Sequence, residues 1–139
     1  MRSTNICDFM VRDVHIVDPE MDIYDAVDFL LEKKISGAPV IEAGRLVGLV
    51  SEKDCLRLLA TGENHEHAQG CVRDFMTTSV ETIPPDMDVH FAAGLFLARP
   101  FRRFPVVEHD RLVGQISRRD ILRAIQVMRA KVNASARAV

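Results

Sequence analysis

Two short motifs carry residue types able to hold a sugar or a phosphate. Gly48-Leu-Val-Ser51-Glu-Lys-Asp54 recurs as Gly114-Gln-Ile-Ser117-Arg-Arg-Asp120. In each, an apolar run meets a serine and a polar triplet, a spacing that predicts a strand ending and a helix opening at the serine. A helix start presents unpaired backbone N–H groups and the positive end of the helix dipole, which suits a phosphate. The serine hydroxyl can serve a phosphate or sugar oxygen, and the aspartate can accept from a ribose diol. Gly48 and Gly114 let a backbone or a ligand approach closely. The same Ser-x-x-Asp pattern is also a capping box, in which the serine caps the helix and the acid reaches back. Both readings stay open, and they are compatible.

The elements that position these motifs come in two copies. A shift of 66 residues aligns positions 6–57 with 72–123 without a gap, and 20 of the 52 pairs are identical. About three would match by chance at ordinary composition. The identities include Asp8/Asp74, Phe9/Phe75, Met10/Met76, Pro19/Pro85, Asp22/Asp88, Pro39/Pro105 and the block from Arg45/Arg111 to Arg57/Arg123. Each copy predicts a short extended piece (14–17; 80–83), then proline and acidic residues that start a helix. Apolar residues at helical spacing follow: Ile23, Ala26, Val27, Leu30 and Leu31, then Val89, Ala92, Ala93, Phe96 and Leu97. Strands are predicted at 38–41 and 46–50, and again at 104–107 and 112–116, each pair ahead of a second helix. The order is β-α-β-β-α, twice. We place the first repeat at 6–59, a polar linker at 60–71, the second repeat at 72–130 and a fraying tail at 131–139. Neither repeat buries enough surface to stand alone, so the two should share one module.

Composition excludes several classes. The chain has 139 residues, 47% hydrophobic and 27% charged, the balance of a globular protein. Its longest apolar run, 91–98, falls far short of the roughly 20 residues of a membrane span. Residues 1–10 lack the apolar core of an export signal, and three cysteines without CxxC spacing fit a reducing compartment, so the expected location is cytoplasmic. With no Trp and one Tyr there is no aromatic platform for bases, which argues against nucleic acid. His65-Glu66-His67 has chelating side chains but no third ligand in sequence and reads as a solvated loop, so no metal is expected. Cys55 falls on an apolar helical stripe, while Cys7 and Cys71 have no nearby base. No nucleophile–base pair or phosphate-cradling glycine loop is present, so an enzyme is not expected.

The tandem β-α-β-β-α units, each with a Pro-Val strand and Gly-x-hydrophobic-Ser-x-x-Asp, resemble a CBS domain pair, or Bateman module, across residues 6–130. The resemblance implies an α/β (α+β) fold, a pseudo-two-fold pair of CBS repeats. It also implies regulatory binding of AMP, ADP, ATP or S-adenosylmethionine in the cleft between the copies. Asp54 and Asp120 would then bind ribose hydroxyls, and Ser51 and Ser117 the phosphate–ribose region. Ala38-Pro39, Phe104-Pro105, Ile16 and Ile83 would wall in the adenine. Serine here stands where threonine is commoner, which keeps the hydroxyl and loses a methyl. The resemblance further implies a flat homodimer packed through helices. An interaction module with empty clefts, its Ser-x-x-Asp motifs acting only as caps, is the alternative.

Charge separates the two copies. Residues 1–70 carry 7 basic and 13 acidic side chains, whereas residues 71–139 carry 11 and 7. Arg102, Arg103, Arg118 and Arg119 occupy positions held by Ser36, Gly37, Glu52 and Lys53 in the first copy. Arginine bonds to phosphate are charge-assisted, so the second site is expected to favour a phosphorylated ligand; a solvated basic face is the other reading. Surplus apolar positions on the last helix (Ile121, Leu122, Ile125, Met128) call for a partner surface, either a second copy or an unidentified protein.

Overall fold

The computed structural model describes residues 4–60 and 68–138; His65, Glu66 and His67 lie outside them. A 3-10 turn (Ile6–Asp8) leads to α1 (Ile23–Lys33), β1 (Gly37–Glu42), β2 (Arg45–Ser51), α2 (Glu52–Cys55) and α3 (Arg57–Ala60). The second half continues with α4 (Val72–Phe75), α5 (Val89–Ala98), β3 (Arg103–Glu108), β4 (Arg111–Ser117) and α6 (Arg118–Ala138).

Local chemistry explains the boundaries, and it does so alike in both halves. Asp22 caps α1 by accepting from the Tyr24 amide at 3.0 Å, and Asp88 caps α5 by accepting from the His90 amide at 2.7 Å. Each hairpin turns through two residues of positive φ, Ala43-Gly44 (52° and 80°) and His109-Asp110 (53° and 64°). Such turns match the twist of the strands they join. The first strand predicted for each repeat shrinks to a single parallel bridge, Val17 to Val40 and Ile83 to Val106. Pro39 and Pro105 cannot donate, but their carbonyls accept from Val17 and Ile83 at 3.0 and 3.1 Å.

Two expectations change. The second helix of the first repeat divides at Leu56 into α2 and α3, whereas α6 runs unbroken for 21 residues. The segment read as a fraying tail continues that helix to Ala138; Ala134 and Ala136 are strong helix formers.

The chain forms two compact units, and their boundaries cut across the repeats. One unit comprises Val14–Val80 with Asp110–Leu112; the other comprises Met1–Asp13, Glu81–His109 and Val113–Val139. The core of the first contains Val17, Ile23, Ala26, Leu30, Val40 and Val50 together with Val72, which opens the second repeat by sequence. The core of the second contains Val89, Phe96, Phe104, Val106, Ile116 and Ile121, with Ile6 and Met10 from the first repeat. Each lead-in is stitched to its unit by paired backbone bonds. Leu49 and Thr77 exchange bonds of 2.9 and 2.8 Å in one unit, and Val11 and Gln115 exchange two of 2.8 Å in the other.

Side chains reinforce the same attachment. In the first unit Arg73 pairs with Glu20 at 3.0 Å and also with Glu42. In the second, the Thr4 hydroxyl donates to Asp88 at 2.7 Å. That bond, followed by those from the His90 amide and ring, holds the Asp88 carboxyl below its ordinary range.

Candidate functional site

In the first unit β2 delivers Ser51 to the mouth of α2. The Ser51 hydroxyl accepts from the Asp54 amide at 3.2 Å, and Asp54 Oδ2 accepts from the Ser51 amide and hydroxyl, both at 2.9 Å. Both halves of a capping box are closed. Asp54 Oδ1 faces other donors: Thr77 Oγ1 at 3.1 Å and Arg57 Nη2 at 3.5 Å. Arg57 also donates to the Phe75 carbonyl and lies over the Phe75 ring, 5.7 Å from its centroid.

The second unit repeats the design with a different environment. Asp120 Oδ2 accepts from the Ser117 amide at 2.8 Å and its hydroxyl at 2.9 Å, and the Ser117 hydroxyl accepts from the Asp120 amide at 3.2 Å. Oδ1 takes Arg123. Asp120 is 3% exposed, a charged side chain held almost entirely by its own helix start. The dipole at this mouth belongs to a helix of 21 residues, against four residues in α2.

The lining residues divide. Ala38, Pro39, Phe104 and Pro105 are all buried, and the carbonyls of the two prolines are taken by the Val17 and Ile83 amides. Ile16 is 47% exposed beside the Val17–Val40 bridge, whereas Ile83 sits in the core of its unit. The residue that matches Ile16 at the 66-residue shift is Thr82, and Ile83 matches Val17. Arg102, Arg118 and Arg119 are exposed, and the Arg118 amide donates to the Arg102 carbonyl at 3.1 Å, joining the two arginine pairs at the start of α6. Gly48 and Gly114 are packed by protein. A Cβ on Gly48 would stand 2.7 Å from Met76 Sδ and 2.9 Å from the Thr77 carbonyl; on Gly114 the distances are 2.7 Å to Met10 Sδ and 2.8 Å to the Val11 carbonyl. The close approach inferred for these glycines is therefore made by the lead-in backbone.

Sequence reasoning passed over Thr77, Arg57 and Arg123 as members of the site. The two arginines carried a signal, identity at the 66-residue shift three places after each aspartate. Thr77 carried none, because its counterpart is Val11. Elsewhere the chemistry is quiet. Burial first, and then the Asp54 carboxylate, push the Cys55 thiol up and keep it a poor nucleophile. Among the described residues no group of three or more His, Cys, Asp or Glu could hold a metal, and no helix is long and apolar enough to cross a membrane.

Two β-α-β-β-α repeats, each with a serine-capped helix start holding an aspartate, define the class as a CBS pair. The CBS domain family model matches residues 6–61 and 72–127, and the chain belongs to that family. It is 30% identical to the chloroplastic CBS domain-containing protein CBSX2 of Arabidopsis thaliana, with 92% of this chain aligned to 66% of that protein. It is 29% identical to the CBS domain-containing protein YhcV of Bacillus subtilis, covering 85% of this chain and 83% of that one. The crystal structure of CBSX2 in complex with AMP superposes with a TM-score of 0.78 at 34% identity, over 90% of this chain and 98% of that one. The CBS domain pair of MJ0100, solved with 5′-methylthioadenosine and S-adenosyl-L-methionine, shares the fold with a TM-score of 0.73 at 23% identity, over 91% and 99% of the two chains.

Proposed function

We propose that this chain is a regulatory CBS-pair protein that binds adenosyl ligands (AMP, ADP, ATP or S-adenosylmethionine) and has no catalytic role of its own. The observation that carries the reading is the pair of aspartates, Asp54 and Asp120, each fixed by a serine at a helix start. Held there, a carboxylate is pre-oriented to accept from a ribose diol while the helix start faces a phosphate. That a relative 34% identical was solved with AMP supports the ligand class. Ile16 and Thr82, exposed beside the Val17–Val40 and Ile83–Val106 bridges, supply apolar and polar edges for an adenine. Arg102, Arg103, Arg118 and Arg119 bias the second unit toward a phosphorylated ligand, since Glu52 opens the equivalent helix in the first.

Thermal unfolding tests this reading with AMP, ATP and S-adenosylmethionine as probes. A ligand at a hundred times its dissociation constant should raise stability by about 2.7 kcal/mol. No change with any of the three would contradict it. The closed capping boxes favour the rival, in which both motifs only start helices; that reading predicts no response to ligand.

Occupancy is passed on, in our proposal, through a helical face that pairs with a second copy. Each unit presents matching exposed leucines, Leu31 at 70% and Leu97 at 92%, alongside Leu56/Leu122 and Leu59/Ile125. An apolar groove of about 370 Å³ between α5 and α6 continues this face in the second unit, and it contains neither Ser117 nor Asp120. Leu97→Glu should convert a dimer to a monomer in analytical ultracentrifugation while leaving Tm within a few degrees; an unchanged sedimentation coefficient would count against this face. Three free cysteines support a reducing, cytoplasmic setting.

A further inference from the structure

The exposed helical faces of the two units share their apolar residues and differ in their charges. On α1, Tyr24, Asp28 and Leu31 follow at helical spacing, with Asp25 and Glu32 along one edge, and all five are exposed. Asp25, Asp28 and Glu32 stand three and four residues apart, a like-charge spacing that works against the helix itself. Lys33, the one basic residue of α1, turns away over the Phe29 ring, 5.9 Å from its centroid. At the 66-residue shift His90, Gly94 and Leu97 replace Tyr24, Asp28 and Leu31, while Phe91 and Ala98 replace the other two acids. The second face carries basic charge instead. On α6, Leu122, Ile125, Arg129 and Val132 form one exposed stripe, and the last three line the groove beside α5. The single acid of α6, Asp120, is engaged at its own helix start. Among the described residues none of Asp25, Asp28, Glu32 and Arg129 has an ion-pair partner.

We propose that a second copy docks with its first unit on the second unit of this one, α1 against α5 and α6. The proposal rests on the dimer reading above and gives it a direction. Leu31, Leu56 and Leu59 match Leu97, Leu122 and Ile125, so every pairing of faces buries similar apolar surface. Charge makes the choice. Joining two first units sets the acidic edge of α1 against its own copy, and joining two second units does the same for Arg129. Crossing the units brings Asp28 and Glu32 to Arg129, and in a two-fold pair that contact is made twice. Leucines of the other copy's first unit then fill the groove of about 370 Å³ between α5 and α6.

Exchanging the charges in the full chain tests this pairing. Asp28→Arg and Arg129→Asp should each weaken the dimer by about tenfold in sedimentation equilibrium, because each reversal acts at two contacts. Combining the two should regain most of the wild-type affinity. Asp28 and Arg129 are both exposed, so neither change disturbs a core. Wild type mixed with the double variant then separates the arrangements, read by native mass spectrometry. Crossed units predict two homodimers, since every contact in a mixed dimer sets like charges together. Faces that pair with themselves predict a preference for the mixed dimer. The crossed pairing is overturned if the single variants keep wild-type affinity, if the double variant is as weak as either, or if mixed dimers make up half or more of the population. Each of those results leaves the dimer reading in place. A wild type that stays monomeric at every concentration removes the dimer reading, and the crossed pairing with it.

Discussion

Asp120→Ala should weaken binding of an adenosyl ligand to the second unit by roughly 100-fold, since hydrogen bonds to a charged group contribute about 1.5–3 kcal/mol each. The ribose hydroxyl that Asp120 Oδ1 would hold loses its acceptor. The substitution also removes a cap, because Asp120 Oδ2 holds the Ser117 amide at 2.8 Å, and this should cost about 1 kcal/mol of stability. The two losses are separable. In a protein that uses the motif only to start a helix, the stability loss appears without any change in affinity. Calorimetric titration beside a denaturant melt therefore divides the two roles of one carboxylate. Asp54→Ala should show the same cap loss with a smaller change in overall affinity, because Glu52 and Lys53 stand where the second unit has Arg118 and Arg119.

Gly114→Ala should destabilise the protein by about 2–3 kcal/mol, the cost of overpacking a site that cannot yield. Its Cβ would meet the Val11 carbonyl at 2.8 Å, and backbone in a stitched segment does not move aside as a side-chain end does. Gly48→Ala meets the Thr77 carbonyl at 2.9 Å and should behave alike. Gly94 provides the contrast. It lies inside α5, and a Cβ added there would have nothing within 4 Å, so Gly94→Ala should stabilise by about 0.5–1 kcal/mol. Thermal melts of the three variants check this, and equal effects at Gly94 and Gly114 would show that the lead-ins do not pack as described.

The period of 66 residues made most of the fold legible, since caps, hairpins and helix faces recur at matching places. Asp22 and Asp88 announce α1 and α5, and the turns at 43–44 and 109–110 fall where two-residue loops are required. Repetition also hid something. Ile6 and Val72, or Met10 and Met76, are near-identical in size, so a lead-in fits the core of either unit and periodicity alone cannot choose between them. The structure sends each to the unit of the other repeat. The glycines beside the motifs acquire their purpose from that crossing. A one-residue offset explains the pairing of Ile16 with Ile83: along an extended segment adjacent side chains face opposite ways, so one lies outside and the other in the core. Thr77 escaped notice for the opposite reason: its bond to Asp54 has no counterpart at Val11, so the repeat carries no sign of it.

The most direct test of adenosyl binding at these helix starts is an amide NMR titration with AMP. Binding at the proposed sites should shift the backbone amides of Ser117 and Asp120 at low ligand, followed by those of Ser51 and Asp54 as more is added. Saturable binding that leaves all four amides unmoved, or no binding at all, would contradict the assignment.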